Sequence, residues 1–597
     1  MASPIAWAQA LLPDLRDAVV VTASRIEQQL TDTIAHTTVI TQKDIRESQL
    51  ADLPSLLRRE TGLEFTQNGG VGNVSGIFLR GGDGRQVLVL IDGIRAGSAT
   101  LGTTQIEGVM LEQIERVEIV RGNVSALYGN GAIGGVVQIF TKQGNGTPRA
   151  NAQAMIGARG TSSLSAGYRG SVANTRFSLN LTDFQTSGFS AIDPKLAPRA
   201  NPDKDGYRNS SFSGQIAHRL AEGHEVGLRA YQNYGEVDFD SAFGAASDIN
   251  RSSNAVSSYS IYSNNRINAI WNSRVTLAQG SDKGRSRTNG ATPARTDSTN
   301  TQLQWHNEIV LAPMHTLNAG VENQAQRVES STTYPVTGRD VRSAVLGYNG
   351  RLGAHHFQAN LRGDHYSDFG KANTWLAGYG FDIDSNWKLT AMRSNAFTAP
   401  TFNQLYFPGF GNPNVRPEKS VSNEVGVQYA EGGNLLRLAT YRTLYRDLIE
   451  APAPAFTAQN VASARVEGSE LSYTGRIAQW DVRAGLTVQD PVNSVTGAPL
   501  RRRGNRFGNL VIGTDYAGWR LGSDIVMAGN RADNDIVSGA AVTLGTYKLA
   551  HFTARRNLSA NSFIAARLDN AFDEKYQLAQ GFNVPGRGLF ISLGWQQ

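Results

Sequence analysis

A chain of 597 residues with 63 glycines, 40% hydrophobic residues and a mean hydropathy of −0.31 is neither a helical solenoid nor a helical membrane protein. No apolar run reaches the roughly 18 residues that a membrane helix needs, so a membrane-spanning form must be a closed β-barrel, while a large soluble all-β protein fits the composition equally. The lack of cysteine excludes a disulfide framework, a thiolate metal site and a cysteine nucleophile; the net charge of +6 is scattered apart from Arg501, Arg502 and Arg503, which argues against nucleic acid.

The first ten residues, MASPIAWAQA, end in the small-x-small pattern Ala8-Gln9-Ala10 of a signal-peptidase site without a basic n-region or a full apolar core. Residues 1–16 therefore read as a residual signal and tail. Residues 17–25, DAVVVTASR, contain a β-branched run that taken alone is a strand in any soluble domain. Over residues 36–62 the pattern predicts a strand and then a helix with Ile45, Leu53, Leu56 and Leu57 facing a core, capped by Asp44 or Ser48. The VGNVSG segment of residues 71–76 and the GGDG turn of residues 81–84 interrupt the following strands as exposed loops.

Residues 117–142, VEIVRGNVSALYGNGAIGGVVQIFTK, set two short apolar strands about a centre of small residues. Gly122, Gly129, Gly131, Gly134 and Gly135 predict a tightly folded loop, rather than a helix, presenting Arg121 and Tyr128. The turn-rich QGNGTPR closes this region at residue 148. From residue 149 onward, segments with alternate apolar residues recur between polar connections: Phe177, Leu179 and Leu181; Phe357, Ala359 and Leu361; Trp387, Leu389 and Ala391; Leu589, Ile591, Leu593 and Trp595. Lipid-facing strands give that alternation, and so does a sandwich. ANPDKDGY at residues 200–207 sets Asp203 and Asp205 two apart, with Asp240 and Asp248 in the next connection. Hard oxygen ligands so grouped suit calcium, although an acidic surface loop has the same pattern.

FLRGGDGRQVLVLIDGIR at residues 78–95, with residues 117–142, resembles the plug domain of TonB-dependent outer-membrane receptors; Arg80-Gly81 and Arg121-Gly122 stand at that family's two Arg-Gly signatures. TQNGG at residues 66–70, IFLRG at residues 77–81 and LVLIDG at residues 88–93 are most similar to the cobalamin-transporting branch, and the similarity covers nearly the whole chain. The resemblance implies an all-β membrane protein: an N-terminal α+β plug domain, residues 26–148, inside a 22-stranded antiparallel transmembrane β-barrel, residues 149–597. It makes residues 17–25 a TonB box, comprising Asp17, Ala18, Val19, Val20, Val21, Thr22 and Ala23.

The same resemblance assigns ligand contacts to Val74, Gly76, Asp83, Leu101, Gly102 and Arg502, with Arg503 as the alternative register for the last. It assigns loop calcium to Asp193, Asn201, Asp203, Asp205, Phe239, Asp240 and Asp248, and Ser190 stands where another aspartate is expected. NPNVRPEKSVSNEVGVQ and VEGSELSY match barrel motifs that place Glu424 and Glu470 against Arg80 and Arg121; a buried guanidinium left unpaired would be costly. The closing segment departs from the family where Gln596 and Gln597 replace the terminal aromatic residue.

The expected function is uptake of cobalamin or a related corrinoid across the bacterial outer membrane. Its partners are then the TonB inner-membrane complex, the corrinoid, and outer-membrane lipid and lipopolysaccharide, and the receptor works as a monomer. No catalytic cofactor is expected, and GxSxG, HExxH and P-loop motifs are missing from any supporting context. A ferric siderophore or haem receptor of the same fold is the alternative. FTAPTFNQLY and NPNV resemble haem-receptor motifs, yet no histidine lies between Phe397 and Asn414 to ligate iron. A passive porin or adhesin barrel is a further reading, one that needs neither plug nor TonB box.

Overall fold

The computed structural model describes residues 19–452 and 456–597, so the expected signal remnant and Asp17 and Ala18 lie outside the described residues. From Arg149–Gly157 onward, strands pair antiparallel with their neighbours into a closed barrel of 22. The last strand, Gly588–Gln596, pairs with the first, setting Asn151 opposite Gln596 and Gly157 opposite Phe590. Gln597 extends the closure by donating its backbone N–H to the Ala150 carbonyl at 2.9 Å. Closure leaves no sheet edge, as hydrocarbon requires of a β structure.

The period-two pattern resolves the choice between soluble and membrane barrels. In the strand Thr175–Phe189, Leu179 and Leu181 are 44% and 50% exposed on the outside, whereas Ser178, Asn180 and Thr182 are buried inside. Leu361, Leu389, Leu589 and Leu593 repeat the outward placement around the wall. A soluble barrel buries its apolar face; this one displays it, and lipid is the solvent that makes the display favourable. No described helix is long and apolar enough to cross a membrane.

The lumen is filled by the N-terminal domain. A five-stranded sheet orders Thr37–Ile40, Ile114–Arg121, Gly135–Thr141, Val87–Ile91 and Ile94–Arg95 side by side, and its one parallel pairing joins the third to the fourth. A separate hairpin pairs Leu63–Gln67 with Ser75–Leu79. Ile40, Leu53, Leu57, Ile91, Val117, Ile119 and Ile139 form one core, which Tyr231 and Val256 of the wall complete. Gly135 is required there: at φ 151 its added Cβ would meet the Val120 carbonyl oxygen at 2.2 Å.

Two local expectations are corrected. The single helix over residues 36–62 is two short ones, Gln42–Ser48 and Leu53–Leu57, because Gln49 adopts φ 53 and ends the first while Asp52 and Pro54 start the second. Thr41 is the cap of the first helix, with Asp44 completing a capping box from its third position; Ser48 instead donates to the Ile45 carbonyl at 2.7 Å. Tyr128 lies on a one-turn helix, Ser125–Tyr128, and both it and Arg121 are buried rather than presented. The glycines on either side form the tight turns, and Arg121, the last residue of its strand, points into packed plug.

Candidate functional site

The barrel has two unlike ends. At one, strands are joined by turns as short as Ala173–Asn174; at the other, residues 190–204, 240–249 and 399–417 form longer loops around the plug surface. Val74 and Leu101 project from that surface, 66% and 53% exposed, and Gly102 lies between Thr401 and Arg85. Gly76 is set back in its hairpin opposite Thr66.

Where the plug surface meets the wall at this mouth, charge is matched. Asp83 accepts from the Arg85 N–H at 2.9 Å and from its guanidinium at 3.1 Å, and Arg503 reaches the same carboxylate at 3.9 Å. Glu418 is 3.6 Å from Arg85. Of the two arginines proposed from sequence, Arg503 is the one that faces the plug: it donates to the Gly81 carbonyl at 3.2 Å and stacks 4.6 Å from the Phe78 ring centroid. Arg502 turns away to Asp533 at 3.0 Å. A run of three arginines carries no local signal for which one points inward.

Beside the mouth, Asp203, Asp205 and Asp240 each offer a carboxylate oxygen within 4.8 Å of the others. Residues 190–192 wrap this cluster: the Ala191 N–H donates to Asp205 at 2.6 Å, and the Ile192 N–H and Ser190 hydroxyl donate to Asp240 at 3.2 and 3.3 Å. Burial pushes the Asp240 carboxyl up, with Asp203 adding to it; burial and then Asp238 do the same to Asp203. Carboxylates that resist ionising together are the arrangement a hard cation relieves. Asp193 and Asp248 do not join them, while Asn201 lies alongside and accepts from the Asp203 N–H at 3.3 Å. Asp193 accepts from the Lys195 N–H at 2.9 Å, and Asp248 from the Ala245 N–H at 2.8 Å and Asn289 at 2.9 Å. Asn201 donates to the Asp248 carbonyl at 3.1 Å, and Phe239 ends its strand opposite Asn250.

Deeper in the lumen, Arg80 is clasped by two wall carboxylates, Glu424 through a short contact and Glu470 at 2.9 Å, and it stacks 4.4 Å from the Tyr441 ring centroid. Arg121 shares Glu470 only at 3.9 Å; its guanidinium is engaged by the Thr61 carbonyl at 2.6 and 3.1 Å and by the Thr38 hydroxyl at 2.8 Å. Sequence reasoning missed His36, which contacts Glu470 at 3.2 Å. Burial and then Arg121 push this histidine down to about 3, so it serves as a neutral donor. It also missed Arg59 with Asp524 at 2.7 Å and Arg483 with Glu60 at 2.8 Å, pairs separated by more than 400 residues of sequence that no local pattern signals.

At the short-turn end, Val19 and Val20 pair with Gln29 and Gln28, and Val20, Thr22 and Ala23 are buried. Glu118 is the anchor: it accepts from the Val21 N–H at 3.0 Å, the Thr22 N–H at 2.9 Å and the Thr22 hydroxyl at 2.7 Å. The Tyr128 hydroxyl donates to the Thr22 carbonyl at 2.9 Å, and Gln358 of the wall donates to Ala23 at 3.1 Å. Glu118→Ala should weaken docking of this segment by about 3 kcal/mol, since charge-assisted hydrogen bonds contribute about 1.5–3 kcal/mol each and are not additive. A spin label at residue 19 should then report a mobile population. An unchanged, immobile spectrum would show that Glu118 does not hold the segment.

The sequence profile described as TonB dependent receptor-like, beta-barrel, matches residues 148–571, and that of the TonB-dependent Receptor Plug Domain matches residues 29–136. The vitamin B12 transporter BtuB of Vibrio vulnificus is 29% identical, covering 100% of this chain and 98% of its own. That of Photobacterium profundum is 28% identical over 97% of this chain and 95% of its own. Among solved structures, the siderophore receptor PirA of Acinetobacter baumannii superposes with a TM-score of 0.81 at 18% identity, covering 95% of this chain and 99% of that one.

Proposed function

We propose that this chain, which belongs to the family of TonB-dependent receptors, imports cobalamin or a closely related corrinoid through the bacterial outer membrane in which its barrel sits. Members of this family are receptors and transporters, not enzymes, and they work with the TonB complex. The observation that carries the corrinoid reading is the matched charge of the plug surface at the mouth. Arg85 and Arg503 share Asp83, and Val74 and Leu101 offer apolar surface beside them. A corrin ring is broad, amide-rimmed and nearly neutral, so it is recognised by shape and scattered hydrogen bonds, whereas an anionic iron chelate calls for unpaired cations. Likeness to vitamin B12 transporters over the full chain supports the same reading; the likeness to siderophore receptors, at 18% identity for PirA, speaks to the fold alone.

In this reading Val74, Gly76, Asp83, Leu101 and Gly102 underlie the ligand, and Arg503 takes the place expected of Arg502. Calcium at Asp203, Asp205 and Asp240 orders the loops above it. Residues 17–23 are the TonB box, which the inner-membrane partner captures by strand addition, and the receptor acts as a monomer in lipid and lipopolysaccharide.

The test is equilibrium binding of cyanocobalamin to the detergent-solubilised protein, with and without calcium, against a ferric siderophore and haem. Tight binding of the corrinoid alone is expected. Asp203→Asn with Asp205→Asn should abolish the calcium enhancement and weaken binding roughly tenfold, about 1.4 kcal/mol, while the barrel remains folded. Preference for the iron chelate would overturn the substrate, and a calcium effect surviving in the variant would overturn the loop site.

A further inference from the structure

Along one stretch where plug meets wall, two buried acids lie near each other and neither is paired with a base among the described residues. Asn233, Val256, Asp282 and Ser298 lie side by side in register across four consecutive strands. The plug segment of residues 105–108 runs along this row. At one end Gln105 donates to Asp282 Oδ1 at 3.2 Å; at the other Gly108 abuts Asn233, where an added Cβ would meet Oδ1 at 2.9 Å, and the Gly108 carbonyl accepts from Asn209 at 3.1 Å. Glu107 lies between these two contacts in the chain, so its backbone is bracketed by Asp282 and Asn233.

The two carboxylates are 7% and 4% exposed, and Glu107 Oε2 and Asp282 Oδ2 each lack a hydrogen-bond partner. A third oxygen shares this condition. Asn300, on the next strand opposite Gly280 and so diagonal to Asp282 on the inner face, is 5% exposed with Oδ1 unpartnered. Elsewhere in the same interface Glu60, Glu424, Glu470 and Asp524 each have an arginine. Among the described residues no cation pairs with Glu107 or Asp282, and the nearby Asp297 is held by Arg285 and Arg295. Burial pushes Glu107 up to about 8, with Asp282 adding to it. A single proton would neutralise one carboxylate and leave the other, and the Asn300 oxygen, unsatisfied. A divalent hard cation would neutralise both and take the amide oxygen as a neutral ligand.

We propose that Glu107, Asp282 and Asn300 form a hard-cation site, filled by calcium, that clasps the plug to the barrel wall. It is separate from the loop cluster at Asp203, Asp205 and Asp240 and does not rest on the corrinoid reading. The experiment counts calcium bound per chain by equilibrium dialysis of the chelator-stripped, detergent-solubilised full chain, with calcium alone as the probe. Glu107→Gln with Asp282→Asn should remove one ion per chain and leave the loop ion in place, while Asp203→Asn with Asp205→Asn removes the other. Asn300→Ala changes no charge and should weaken the interface ion roughly tenfold. Folding of each variant is read from its heat-modifiable mobility on gels. An unchanged calcium count and affinity in the Glu107→Gln, Asp282→Asn protein would overturn the site, and the pair would then hold only a proton.

Discussion

Replacing Arg80 by methionine is expected to destabilise the plug inside the barrel by about 3–5 kcal/mol, the usual cost of leaving buried charge uncompensated. The guanidinium is 2% exposed, and its partners Glu424 and Glu470 are 4% and 0% exposed, so neither can turn to water. Glu470 keeps the neutral His36 and a distant Arg121 at 3.9 Å, but Glu424 loses its ion-pair partner. The Tyr441 ring also loses the cation stacked on it. The strands of the barrel are untouched, so the loss should appear in the plug alone. Hydrogen exchange across residues 37–40 and 114–121 during urea titration of the solubilised protein measures it. Protection equal to wild type would show that the clasp contributes nothing, whereas Glu424→Gln combined with Arg80→Met should recover part of the loss by removing the stranded charge.

If residues 17–23 couple a corrinoid receptor to TonB as proposed, Val20→Pro should reduce energised corrinoid uptake to background while leaving ligand binding at the outer mouth unchanged. Strand addition uses the backbone N–H and C=O groups of an extended segment, and proline removes a donor and fixes φ. Val20 also pairs with Gln28 in the docked state, so the substitution strikes both the stored and the captured forms of the segment. Uptake of radiolabelled cyanocobalamin by energised cells, set against binding to de-energised ones, separates the two steps. Full uptake by the Val20→Pro receptor would show that this segment is not the coupling element. Glu118→Ala, by contrast, frees the segment without altering its backbone and should leave uptake intact.

The two predictions concern the same physical division. A docked segment held by Glu118, Tyr128 and Gln358 is held by side chains and carbonyls at the short-turn end, so pulling on it strains a few hydrogen bonds at a time. The Arg80 clasp lies deeper in the lumen and joins the plug to two strands of the wall at once. Force applied at residue 19 therefore reaches these hydrogen bonds before it reaches the ion pairs of Arg80.

Period-two alternation from residue 149 onward, glycine-rich punctuation and the lack of a long apolar run were enough to require strands and, if a membrane is crossed, a closed barrel. Those features are local: side-chain period and backbone freedom are set by residues a few positions apart. Resemblance in residues 66–142 supplied the plug and the strand number. That Arg80 takes both Glu424 and Glu470 while Arg121 turns to the Thr61 carbonyl, the choice of Arg503 over Arg502 at the mouth, and the meeting of Asp203, Asp205 and Asp240 without Asp193 or Asp248 were decided by tertiary structure. So was the acid pair of Glu107 and Asp282, for which the sequence offers two ordinary carboxylates 175 residues apart. The sequence by itself determined which side chains share a strand face, because that period is local, and the barrel decided that the apolar face is the outer one. Only the closed barrel decided which charges face each other across the lumen, because that depends on strand register summed around the whole wall.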